Sequence, residues 1–111
     1  MREWHRGKSH DNMHYYVYND GASFEWDDQK NEENIRKHGI SFTDAQRAFL
    51  DPQRLIGPDK KHSIDERRLF CIGQVDGKIL TVRFTMRSNT IRIIGAGAWR
   101  QGRKIYETYN R

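Results

Sequence analysis

Residues able to move protons and hold phosphate gather in the second half of this chain. They are His62, Glu66, Arg68, Arg83 and Arg92, followed by Trp99, Arg100 and Tyr106. Cleaving an RNA backbone without a metal makes three demands. The ribose 2′-OH must lie in line with phosphorus, the phosphate charge must be stabilised, and protons must leave the 2′-OH and reach the departing 5′-oxygen. Forked guanidinium groups meet the second demand. Histidine and glutamate meet the third, because their surroundings can bring their protonation near neutral pH. Aromatic rings can hold a splayed base. His62, Glu66, Arg68 and Arg92 are therefore the candidate catalytic residues, with Arg68 and Arg92 expected on adjacent elements of one sheet. Arg83, Trp99 and Arg100 are the RNA-holding candidates. Lys30, Lys37 and His38 are the reserve, sharing one side of a helix with Asn34 by three- and four-residue spacing. Each residue taken singly has a plainer reading: Glu66 as an arginine's ion-pair partner, Trp99 as a helix anchor, Tyr106 as a cap on the core.

The charge is unevenly placed. Seven basic residues and one acid, Glu107, follow Ile79, whereas the preceding residues hold thirteen basic and fourteen acidic groups. The last third is thus +6 and the rest −1, which together make the net charge of +5. Its cations lie in periodic segments with Trp99, Tyr106 and Tyr109 among them. A polyanion-binding face fits this pattern, and so does a solvated basic face.

The elements that must position these residues follow from periodicity and punctuation. Residues 1–13 lack a period and read as a mobile arm, leaving 14–111 as a single domain. His14 to Tyr18 and Ser23 to Trp26 suggest a hairpin around Asn19-Asp20-Gly21. Asp27 is a good N-cap for a helix that ends at the cationic Arg36-Lys37-His38 and Gly39. Ser41 and Asp44 open a second, short helix with Ala45, Ala48, Phe49 and Leu50 as its apolar stripe, and Asp51-Pro52 ends it. Residues 51–66 read as a long polar connection. Strands are expected at 67–73, 78–86 and 90–96, turning at Asp76-Gly77 and Ser88-Asn89. In the middle strand Leu80, Val82, Phe84 and Met86 alternate with Thr81, Arg83, Thr85 and Arg87, so one face is core and the other is cationic. A helix over 99–109 closes an α+β fold: an antiparallel β-sheet, two N-terminal helices and a C-terminal helix.

Several function classes are disfavoured. Gly95-Ala96-Gly97 follows a meander and lacks a third glycine in register, so it is no dinucleotide fingerprint, and no P-loop is present. His38 and His62 lie far apart, no two histidines share a helix at ligand spacing, and neither metal nor cofactor is expected. The lone Cys71 cannot form an intramolecular disulfide and suits a reducing, cytoplasmic setting. No apolar run is long enough to span a membrane.

Residues 24–52 resemble the opening of the BrnT toxins of type II toxin–antitoxin modules. The match falls on Trp26, Asp27, Lys30, Asn31, Asn34, Lys37, His38, Gly39, Ser41, Phe42, Phe49, Asp51 and Pro52. A second block matches at His62, Ser63, Glu66, Arg68 and Ile72-Gly73, and a third at Ile91 to Ile94 and Tyr106-Glu107. The resemblance covers about residues 15–109. It implies a RelE-like microbial ribonuclease fold and a toxin that inhibits translation by metal-independent RNA cleavage. It also implies neutralisation by a BrnA-like antitoxin, a ribbon-helix-helix protein through which DNA is engaged only indirectly. One stretch departs from the usual pattern: an arginine commonly found at the position of Gly97 is missing, as is the acid of the following helix. The alternative is a diverged toxin fold that binds antitoxin or RNA without cutting.

Overall fold

The computed structural model describes residues 3–6 and 23–111. The strand expected over 14–18 and its turn lie outside the described residues. The chain runs through β1 (Ser23–Glu25), α1 (Asp28–His38), α2 (Phe42–Ala45), a 3₁₀ segment (Gln46–Leu50) and β2 (Leu55–Pro58). A 3₁₀ turn (Lys60–His62), β3 (Leu69–Val75), β4 (Lys78–Arg87), β5 (Thr90–Gly97) and α3 (Arg100–Tyr109) complete it. The strands form one sheet in the order β1-β5-β4-β3-β2. All neighbours are antiparallel except β1, which lies parallel to β5. The α+β class with an antiparallel meander is thus the architecture observed.

Local chemistry sets the ends of the elements. The Asp27 carboxylate accepts from the amides of Gln29 and Lys30 at 2.8 and 3.2 Å, and the Gly39 amide closes α1 on the Ile35 carbonyl from a left-handed conformation. The Ser41 hydroxyl accepts from the Asp44 amide at 3.0 Å, opening α2. The second helix runs as α-helix for only four residues and then tightens to 3₁₀. Asp76 and Gly77 both take positive φ, the conformation that a two-residue turn between twisted strands requires.

The sheet buries two faces. Leu80, Val82 and Phe84 of β4 pack with Cys71, Ile91 and Ile93 beneath Phe42, Ala45, Ala48 and Phe49. Phe49 lies edge-on to both Phe24 and Phe84, with ring centroids 5.4 and 5.0 Å away. On the opposite face, Tyr106 of α3 packs with Leu55 and Ile72, flanked by Trp4, Ile79 and Ile105. The register aligns Leu55, Ile72, Thr81 and Gly97 in a row across four strands. Here Gly102 lets α3 rest directly on Thr81, and any side chain at position 102 would collide with that hydroxyl. The next row, Gly57, Phe70, Arg83 and Gly95, begins the polar half of the same face.

Two features depart from the sequence reading. The polar connection contains a strand, β2, whose Leu55 and Ile56 are fully buried. Also, residues 3–6, within the segment expected as a mobile arm, lie along that strand. His5 exchanges two backbone hydrogen bonds with Ile56, and the Trp4 indole occupies the space above Gly57 that a side chain would fill.

The placement of α1 depends on Asn34. Strand β1 pairs with β5 only as far as Arg92. Further along that edge, Asn34 replaces a strand: its Nδ2 donates to the carbonyls of Ala96 (2.9 Å) and Ile40 (2.8 Å), and its Oδ1 accepts from the Ala96 amide (3.2 Å). Asn31 Oδ1 likewise accepts from the Phe42 amide at 2.8 Å. Asn34 is only 8 % exposed, so removing its side chain leaves buried backbone groups unpaired. Asn34→Ala is expected to lower stability by about 2–4 kcal/mol, read as a reduced urea midpoint at unchanged slope.

Candidate active site

The polar half of the α3-side face is built around Arg83. Alternation along β4 puts Thr81, Arg83, Thr85 and Arg87 on this side. Arg83 lies over the Phe70 ring at 5.8 Å, and its Nε is 2.9 Å from Asp59 Oδ2. That N–H is not aimed at the oxygen, so the contact is a charge pair rather than an aligned hydrogen bond. The same carboxylate holds His62, whose Nδ1 lies 3.1 and 3.0 Å from its two oxygens. The Asp59 side chain is 3 % exposed and that of His62 41 %. A buried carboxylate therefore orients an accessible imidazole, directing its Nδ1 inward and leaving Nε2 as the ring nitrogen not engaged by Asp59.

The loop carrying these groups is pinned to the sheet. Ser63 Oγ donates to the Asp59 carbonyl at 2.7 Å and accepts from the Arg68 amide at 2.9 Å, while the Asp59 amide donates to the Arg68 carbonyl. Thr85 Oγ1 donates to the Arg67 carbonyl at 2.6 Å, fastening the loop to β4. Glu66 lies 3.6 Å from both Arg68 and Arg87, a separation of loose ion pairs. Arg68 Nε is buried and has no hydrogen-bond partner among the described residues.

The structure brings His62 and Arg83 together through Asp59, and Glu66 together with Arg68. Arg92 stands elsewhere: it faces Thr85 across the β4–β5 ladder and pairs with Glu25 of β1 at 3.2 Å. Strand β4 separates β3 and β5, which puts the backbones near Arg68 and Arg92 about 10 Å apart rather than on neighbouring strands. Asp59 escaped the sequence reading. Its signal was the Asp-x-x-His spacing, which a 3₁₀ turn converts into a side-chain contact because residues i and i+3 eclipse.

Arg83 also reaches a second feature. A cavity of about 350 Å³ lies between α1 and β5, lined by Lys30, Lys37, His38, Arg83, Gly95 and Trp99, with Glu33 as its acid. The helix side proposed from spacing thus meets the sheet face through this cavity. Trp99 rests on Gly97, where any side chain would strike its ring, and lies edge-on to His38 at 5.3 Å. Both Gly97 and Gly102 therefore have packing reasons. Arg100 is exposed at the start of α3.

Among the described residues no group of three or more His, Cys, Asp or Glu side chains converges to hold a metal, and no helix is long and apolar enough to cross a membrane. Cys71 is fully buried in the core, and burial pushes its thiol pKa up, which disfavours the reactive thiolate.

A small α+β domain with histidine and guanidinium groups on the polar half of one sheet face and lysines on the adjoining helix has the features of a protein that handles a polyanion. The family model for the ribonuclease toxin BrnT of type II toxin–antitoxin systems matches residues 26–102, and the chain belongs to that family. Membership implies an antitoxin partner. No curated relative matches the chain.

Proposed function

We propose that this toxin is an endoribonuclease that cuts RNA by acid–base and cationic catalysis, without a metal, at the Asp59-His62-Arg83 cluster. The observation carrying this reading is the buried Asp59 carboxylate that holds both an accessible imidazole and a guanidinium. Asp59 fixes the tautomer in which Nδ1 is the donor, leaving Nε2 to accept the 2′-OH proton. Arg83 and Arg68, neither with a well-aligned Nε hydrogen bond, supply charge to the phosphate as it becomes more negative. Glu66, 3.6 Å from both Arg68 and Arg87, orders these two cations, and the imidazolium formed at His62 gives its proton up again as the 5′-oxygen departs. Arg92 is the more distant cation, engaging the RNA strand beyond the scissile bond.

In the cell this activity would inhibit translation in the cytoplasm. A BrnA-like antitoxin would neutralise it by laying acidic groups over Arg83, Arg87 and Arg100, since cations buried without opposite charges are strongly disfavoured. Induced expression without antitoxin is expected to arrest growth, and the purified chain to degrade RNA equally well in excess chelator. Arg68→Ala should abolish both effects while still binding antitoxin. Intact RNA in the presence of folded wild-type protein would instead favour a binding module that has lost catalysis.

A further inference from the structure

We infer that the cavity between α1 and β5 receives one unpaired nucleotide of the RNA strand, its base against Trp99 and its phosphate among Lys37, Lys30 and Arg83. This rests on the reading of the chain as a ribonuclease, and it assigns to that site a requirement for single-stranded substrate.

Four observations carry it. First, Lys30, Lys37, Arg83 and His38 converge on the cavity, with Glu33 the one acid among its described lining residues, so the lining favours an anionic occupant. Second, Trp99 remains 42 % exposed although its ring is braced on Gly97 and against the edge of His38. A rigid, accessible indole is suited to stacking, and stacking needs a base that is out of a helix. Third, the floor is open at Gly95. A Cβ there would meet only Asn34 Oδ1 at 3.9 Å and Arg83 Nη1 at 4.0 Å, both ordinary contacts. Packing does not demand glycine at this position, unlike at 97 and 102, and a longer side chain would occupy the cavity. Fourth, about 350 Å³ is near the lower end of the roughly 300–1,000 Å³ typical of small-ligand clefts, which suits one nucleotide rather than a duplex.

Arg83 joins this cavity to the His62 loop, so a nucleotide seated there holds the neighbouring phosphodiester beside His62. Duplex RNA presents its bases stacked and cannot supply one to Trp99.

The test uses the full chain and a short single-stranded 2′-O-methyl oligoribonucleotide, which lacks the attacking hydroxyl, with its duplex as control. Affinities are read by fluorescence anisotropy at one fixed salt concentration. The wild type is expected to prefer the single strand. Gly95→Leu and Trp99→Ala should each weaken that binding by about tenfold or more while changing duplex binding less than about twofold. In cleavage, Trp99→Ala should raise KM more than it lowers kcat. If Gly95→Leu fails to fold, Trp99→Ala and Lys37→Ala decide the matter. Folded variants that bind the single strand like the wild type would overturn the inference. So would equal wild-type affinity for strand and duplex, or a Gly95→Leu protein that loses antitoxin but keeps the oligonucleotide. Since the oligonucleotide cannot be cut, the binding result stands or falls separately from catalysis at His62.

Discussion

His62→Ala is expected to slow RNA cleavage by about 10²–10⁴-fold, the usual contribution of a positioned general base. The side chain is 41 % exposed and its described contact is to Asp59, which retains Arg83 as a partner. Folding stability should therefore change by no more than about 0.5 kcal/mol, as for other exposed sites. Asp59→Asn offers a sharper probe. It keeps the side-chain shape but removes the charge that selects the imidazole tautomer and favours the imidazolium formed when the 2′-OH proton is taken. Cleavage should fall by a similar factor in a protein that stays folded, a change that a purely structural Asp59 would not cause. Both effects should appear in kcat more than in KM, because the imidazole acts on the reacting proton rather than on binding. A folded His62→Ala protein that cleaves within about twofold of wild type would remove His62 from the mechanism. His38, on the cavity side with Lys30 and Lys37, would then be the leading base.

The largest expected loss of stability comes from Asp51, where the second helical segment ends. Its carboxylate accepts from the Gln53 amide at 2.9 Å, the Gln74 amide at 2.7 Å and the Tyr106 hydroxyl at 2.6 Å. One side chain thereby ties the end of the 3₁₀ segment to β3 and to α3. Hydrogen bonds to charged groups contribute about 1.5–3 kcal/mol each, and two of these three are solvent-exposed. Asp51→Ala is expected to cost about 3–4 kcal/mol, with Asp51→Asn losing less because one acceptor oxygen remains. Chemical denaturation measures both.

The same contact carries a pH signature. Burial, followed by the Asp51 hydrogen bond and charge, pushes the Tyr106 pKa above its ordinary value of 10.0. A raised folded pKa gives stability that is fully present below about pH 10 and lost as pH climbs toward the folded value. Wild-type stability should therefore drop above about pH 10. In Asp51→Ala the drop should be shallower, since part of the cause is gone. Equal alkaline slopes in the two proteins would mean that the hydroxyl is not held by Asp51.

Much of the fold was legible along the chain because its signals are local. Asp27 and Ser41 cap helices by accepting from amides two or three residues on, Gly39 by donating its own amide to the Ile35 carbonyl, and Asp76-Gly77 needs only its own backbone conformation to form a turn. The alternation of β4 assigned Arg83 and Arg87 to the face opposite Val82 and Phe84 for the same reason. Strand β2 was not legible. Its four residues, Leu55 to Pro58, are too few for a period of two to stand out among polar neighbours, and pairing with β3, distant in the chain, makes them a strand. The spatial order β1-β5-β4-β3-β2 likewise depends on which edges meet, and it moved Arg92 away from Arg68.

The candidate site divides along the same line. Residue types and their spacing were plain along the chain: His62, Glu66, the arginines, and Lys30, Lys37 and His38 on one side of α1. Their groupings came from packing. Asp59 became a buried carboxylate because Ser63 and Thr85 fold its loop onto β4, and His62 and Arg83, distant in the chain, meet only through it. The roles of the glycines were also hidden. Gly97 and Gly102 are required by Trp99 and Thr81 pressed against them, whereas a Cβ at Gly95 would meet only Asn34 and Arg83 at ordinary contact distance. A glycine's missing side chain acquires meaning only from the atoms that approach it, and those come from elements far away in sequence.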